Sequence, residues 1–151
     1  MDKDGEVYHR LCSARSYLRR LDDFWVRAAE ANGITFEHYN VLLTIFCLNG
    51  KNLPVRVLAE HLVRDRTATA QLCRRMEQIG LLKLAYEPDS GRPQLLVSLS
   101  DQGREIMEAV TKAALQQREE YVFGLPENKR ESIAEAVRFS WLYGLESKDV
   151  A

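Results

Sequence analysis

The chain has 151 residues, the length of one domain rather than two. With 46% hydrophobic and 28% charged residues its usage is that of a globular protein, which excludes a disordered or fibrous chain. The 21 Lys and Arg against 22 Asp and Glu leave a formal net charge of −1, which by itself argues against a nucleic-acid partner.

The longest apolar stretch, Val41 to Leu48 with Thr44 inside it, is far below the roughly 20 residues a membrane helix requires. No basic region leads into an apolar run after Met1-Asp2-Lys3-Asp4, so no signal peptide is visible. Cys12, Cys47 and Cys73 are too few and too scattered for a disulfide framework or a zinc site. The expectation is a soluble protein of the reducing cytoplasm.

In chain order, Val7, Leu11, Ala14, Leu18, Leu21, Trp25 and Ala28 recur at spacings of four and three. That predicts a long amphipathic helix, closed by Asn32-Gly33. Thr35 caps a second helix with Tyr39, Leu42, Leu43 and Phe46 inward, stopping at Asn49-Gly50. A short third helix follows Pro54, a good first-turn residue, and carries Val57, Leu58, Ala59 and Leu62. A fourth runs from Arg66 to Gln78, with Thr69, Leu72, Cys73 and Met76 inside and Gly80 at its end. Alternation then sets in: Leu82, Leu84 and Tyr86 on one strand, Leu95, Val97 and Leu99 on the next. Pro88-Asp89-Ser90-Gly91 turns between them, giving a two-stranded hairpin. Ser100 caps a long helix with Ile106, Met107, Val110 and Ala114, which Leu125-Pro126 breaks before a last helix bearing Ile133, Val137, Trp141 and Leu145.

The fold class is therefore mainly α with a small β-hairpin wing, a winged helix-turn-helix between long terminal helices. The charge is uneven along this order. From Lys51 to Lys83 seven bases face three acids, +4, which leaves −5 for the rest of the chain. A basic middle between acidic ends suits a protein that touches phosphates with one element, although a solvated charged helix gives the same count. Phe24, Trp25, Tyr121, Phe139 and Trp141 need more surface than so small a module offers, and a second copy is the simplest cover.

Three stretches carry a resemblance: Val57-Leu58-Ala59-Glu60-His61-Leu62, Asp65-Arg66-Thr67-Ala68-Thr69 and Arg75-Met76-Glu77-Gln78-Ile79-Gly80-Leu81. Together with Leu96-Val97-Ser98-Leu99-Ser100-Asp101-Gln102-Gly103, they resemble a MarR-type transcriptional regulator. The resemblance implies a homodimeric repressor on a palindromic operator of double-stranded DNA. Residues 34–103 would be the winged-helix DNA-binding part, and 4–31 and 104–148 the dimerisation helices, of a single 1–151 domain. The fourth helix would be the recognition helix, starting at Arg66 and presenting Thr67, Ala68, Ala70, Gln71, Arg74 and Arg75. The chemistry of that face agrees, because small residues let a helix enter the major groove, Gln71 can donate and accept at a base edge, and the arginines can hold phosphates. Aligned back from Leu96, the family's wing-tip Asp and Arg fall on Gly91 and Pro93, so Arg92 is displaced by one residue as the minor-groove candidate.

For release from DNA, two effector readings stand side by side. One is a small aromatic or anionic ligand, for which Arg19, Trp25 and Tyr39 are candidates. The other is redox sensing at Cys12, with Arg15 and Arg19 three and seven residues on to favour a thiolate. Cys47 and Cys73 read as core. Neither His9, His38 nor His61 has the spacing of a metal ligand, and no cofactor loop or catalytic constellation suggests an enzyme. The non-DNA rival is a winged helix used only for protein interaction; an apolar fourth-helix face would favour it.

Overall fold

The computed structural model describes residues 3–48, 51–87, 91, 93–131 and 133–135. Its elements are α1 (Lys3–Ala31), α2 (Phe36–Cys47), β1 (Leu53–Pro54), α3 (Val55–Leu62), α4 (Arg66–Gln78), β2 (Leu82–Glu87), β3 (Gln94–Leu99) and α5 (Asp101–Phe123). Residues 127–131 and 133–135 are again helical, past Leu125 and Pro126. The chain divides into two compact units, one of residues 28–113 and one of residues up to 27 with those from 114 onward.

In the 28–113 unit, α1 closes at Gly33, whose φ of +77° suits a residue without a Cβ. Thr35 then caps α2 reciprocally. Its hydroxyl accepts the His38 N–H at 3.1 Å, and its own N–H donates to His38 Nδ1 at 3.3 Å. The buried residues of α2 are Tyr39, Val41, Leu42 and Ile45, which corrects the face expected from periodicity. α2 packs on α3 and β3 and also reaches α5 through Tyr39, so its buried arc is broad and rotated away from Phe46. Phe46 is 42% exposed, with the Arg104 guanidinium 5.4 Å from its ring centroid. Cys47, expected in the core, is exposed beside it.

The expected hairpin is present, with Leu82 opposite Leu99, Leu84 opposite Val97 and Tyr86 opposite Leu95. A third strand joins it. Leu53 and Pro54 pair antiparallel with Val97 and Leu96, giving the sheet order β1-β3-β2. α3 follows Pro54 as expected, and Pro54 itself stands in extended backbone (φ −60°, ψ 131°) as the residue before the helix. Two residues carry no periodicity to read, and on an edge strand a proline forfeits no ladder hydrogen bond. The turn from α3 into α4 passes through Val63, left-handed at φ 52° and ψ 50° and 91% exposed.

α4 spans Arg66–Gln78, and Thr69, Leu72, Cys73 and Met76 are its buried residues, as the pattern predicts. Gly80 ends it at φ +82°. There the wing and α5 are fastened together. The Ser100 hydroxyl donates to the Gly80 carbonyl at 2.5 Å and accepts the Gly103 N–H at 2.9 Å, capping α5. The Ser100 N–H donates to the Leu81 carbonyl at 3.2 Å. A Cβ on Gly103 would collide with that Leu81 carbonyl and lie 3.2 Å from Leu42 Cδ2.

In the other unit, Ala14 and Ala114 are buried and the Phe24 and Tyr121 rings meet at 5.6 Å, tilted by 56°. Of the α1 stripe, Leu21 and Trp25 are half-buried while Val7, Leu11 and Leu18 are exposed. Val137, Phe139, Trp141 and Leu145 lie outside the described residues.

Because the Leu81 carbonyl is backbone and cannot swing aside, Gly103→Ala forces α5 away from the end of α4. The expected cost is about 2–3 kcal/mol in urea unfolding, typical of overpacking; an alanine variant as stable as the parent would break this account of the junction.

Candidate nucleic-acid interface

The outward face of α4 begins with a well-capped turn. The Asp65 carboxylate accepts the Ala68 N–H at 2.9 Å, and the buried Thr69 hydroxyl donates to the Asp65 carbonyl at 2.7 Å. Thr69 is therefore satisfied internally, and the hydroxyl left on the solvent side of this turn is that of Thr67. Thr67, Gln71, Arg74 and Arg75 are all exposed, and their spacing of four, three and four places them along one side of the helix. Ala68 and Ala70 are half-buried. The seven recognition-helix candidates thus share one element, with small side chains near its start and arginines near its end.

A cleft of about 330 Å³ runs beside this face, with Arg66, Thr67, Ala70 and Arg74 on one wall and Arg56 and Gln94 on the other. Arg56 and Gln94 were not singled out from sequence. They come from the start of α3 and of β3, brought together by the pairing of β1 with β3. Three guanidinium groups around one concavity concentrate positive potential where a phosphate chain can lie. Two neighbouring arginines are engaged within the protein. Arg66 stands 3.6 Å from Glu60, and Arg64 pairs with Glu37 at the start of α2; all four side chains are substantially exposed, so these pairs yield to competing anions at little cost.

His38, on α2, is half-buried. Burial, and then the positive charge of Arg75, hold its pKa below the ordinary histidine value. Nδ1 accepts the Thr35 N–H, so the ring is neutral with its hydrogen on Nε2. Burial also pushes the Cys73 thiol up to about 11, against a smaller opposing effect of Arg74.

The remaining candidates lie elsewhere. Tyr39 is buried, and its hydroxyl meets Thr111 Oγ1 at 3.0 Å; because Thr111 donates to the Met107 carbonyl, the tyrosine is the donor. Burial raises its pKa, the Thr111 bond lowers it and Cys47 adds a smaller upward effect. Arg19, exposed, and Trp25, half-buried, belong to the other unit, so the three effector candidates do not share one. Cys12 is exposed. Arg92 lies outside the described residues; Gly91 beside it is left-handed at φ +67°. Among the described residues no His, Cys, Asp and Glu cluster could hold a metal ion, and no helix is long and apolar enough to cross a membrane.

No protein-family model matches the chain, and no curated protein is significantly similar to it in sequence. Solved structures are similar along its whole length. A MarR-family transcription regulator superposes with a TM-score of 0.74 at 14% identity, over 98% of this chain and 97% of that one. The chain has a MarR-like winged-helix fold. An organohalide-sensing transcriptional regulator in a 2,4-dichlorophenol-bound form gives 0.68 at 13% identity, over 99% and 86%. A MepR variant from S. aureus bound to an oligodeoxyribonucleotide gives 0.62 at 19%, over 96% and 99%. On this MarR-like frame α4 occupies the second helix of the helix-turn-helix, and β2 and β3 the wing.

The three thiols should separate in reactivity. Cys73, buried and with a raised pKa, is expected to ignore a thiol reagent at neutral pH until the protein unfolds, whereas exposed Cys47 reacts in the native state. Mass mapping of the labelled sites checks this, and native labelling of Cys73 would contradict its placement.

Proposed function

We propose that this chain is a sequence-specific DNA-binding transcription regulator, acting as a homodimer on a palindromic operator. One observation carries the reading. The outward face of α4 runs from Thr67 through Gln71 to Arg74 and Arg75, small, then polar, then basic, while its opposite face is buried. A winged helix used only for protein interaction calls for apolar side chains there. The structural neighbours support the same reading, since they include transcriptional regulators bound to an oligodeoxyribonucleotide and to a small aromatic effector.

In this proposal Gln71 reads a base edge and Thr67, Ala68 and Ala70 allow close approach, while Arg66, Arg74 and Arg75 hold phosphates and Arg92 serves the wing. Arg56 joins the phosphate contacts through the cleft it shares with Arg66 and Arg74. The exposed Val7, Leu11 and Leu18 on α1 form the dimer surface, covered by the same helix of a second copy. A small aromatic or anionic effector releases the DNA.

Binding to the DNA upstream of the chain's own gene is the direct test. Log affinity should fall with log salt at about −0.9 per phosphate neutralised. Gln71→Ala should relax preference at one base position per half-site by about 1–3 kcal/mol, and Arg75→Ala should weaken all sequences alike and flatten the salt slope. Affinity indifferent to salt, or equal for every duplex, would defeat the reading. Sedimentation should give a dimer that Leu18→Asp dissociates, because it buries an unpaired charge; a monomeric parent removes the operator geometry.

A further inference from the structure

A second concavity, sharing no residue with the cleft beside α4, lies where α2 begins and α3 ends. Its volume is about 250 Å³, and it is lined by Phe36, Glu37, Asn40, Val41, Leu62 and Arg64, all within the 28–113 unit. Val41 is buried, and Phe36 and Leu62 are half-buried, so three apolar side chains stand beside one acid, one base and one amide. The acid and the base are the Glu37–Arg64 pair, partly exposed, which joins α2 to the turn leading into α4. The volume lies just under the roughly 300–1,000 Å³ of sites for drug-sized ligands, which suits a smaller molecule.

The paired charges select the class of that molecule. A ligand with a carboxylate alone would satisfy Arg64 and set a like charge against Glu37; one with an ammonium alone would satisfy Glu37 and repel Arg64. A ligand with both groups on one carbon meets both, its carboxylate taking the guanidinium and its ammonium the Glu37 carboxylate. The protein gives up only an exposed ion pair, worth little by itself, and receives two in exchange. The Asn40 amide can donate and accept beside them, and an apolar substituent on the same carbon is covered by Phe36, Val41 and Leu62. We propose that this concavity binds a free apolar α-amino acid. Peptide ends are disfavoured by the same logic, since each carries one of the two charges. The inference does not rest on the DNA reading. Its place in the fold is nonetheless pointed: Arg64 directly precedes Asp65, whose carboxylate caps α4, so the ligand touches the residue before that cap.

L-leucine and L-phenylalanine, titrated to about 10 mM into the DNA-free full chain, should shift the backbone amide NMR signals of the six lining residues. N-acetyl-L-leucine lacks the ammonium and L-leucinamide lacks the carboxylate, and each should bind about tenfold more weakly than leucine. Glu37→Gln should weaken leucine binding by a similar factor. The same variant should bind N-acetyl-leucine several-fold more tightly than the parent does, because Arg64 is then released for it. Arg64→Gln should do the same for leucinamide. An ion pair with a structural role alone produces no such exchange of preference. Three results would each overturn the inference: no shifts in the parent with either amino acid, shifts confined to other residues, or equal affinity for the three leucine compounds. All three are read on the parent and so do not depend on how the variants fold. Loss of this site would leave the DNA reading standing.

Discussion

One serine hydroxyl and one missing Cβ hold the winged helix together. Ser100 donates to the carbonyl that closes α4 and accepts the N–H that opens α5, while its own N–H bonds the carbonyl that begins the wing. Gly103 lets α5 come down onto that same Leu81 carbonyl. Four chain ends therefore meet at one point with their polar groups satisfied, as buried helix termini require. The rotation of α4, the root of β2 and β3 and the direction of α5 within this unit are all fixed there. The Leu99 to Gly103 stretch is thus a mechanical joint more than a recognition motif.

With the joint fixed, α4 divides cleanly into two faces. Its inward face has no polar atom lacking a partner, because Thr69 bonds the backbone of Asp65. Its outward face keeps its charge in water, where guanidinium groups are cheap to hold and easy to hand over to phosphates. The pairs Arg66–Glu60 and Arg64–Glu37 moderate the field of the basic segment in the free protein. Anionic partners therefore meet charges that are partly screened until contact is made, which favours a close, shape-dependent fit over loose electrostatic adhesion.

The legibility of the sequence varied with the physics of each element. α4 is legible because it has one buried stripe and a glycine after it, while the capping role of Asp65 emerges from the structure. The β2–β3 hairpin is legible because two alternating apolar runs flank a cluster of turn residues. α2 was misread at Phe46 and Cys47, since a helix packed from more than one direction buries a wider arc than a single stripe suggests. β1 is too short for any periodicity. Arg56 and Gln94 reach the cleft through a pairing between distant parts of the chain, which no local pattern announces. The capping role of His38 is not legible in the sequence, because the capping-box pattern calls for Glu or Gln at that place.

Val63 bears on how stiffly α4 is presented. A β-branched residue in left-handed backbone pays roughly 1–2 kcal/mol, and here almost nothing covers its side chain to offset that. A glycine at this corner would be comfortable over a wide range of φ and ψ and would let α3 and α4 swing against each other. Valine has one narrow left-handed well, so the angle between the two helices has little freedom to adapt. In the dimer proposed above, that stiffness would mean that a half-site separation slightly off the correct one is not met by flexing this turn. Tolerance for misspaced sites would then have to come from elsewhere in that assembly, with the strained corner acting as a ruler as well as a bend.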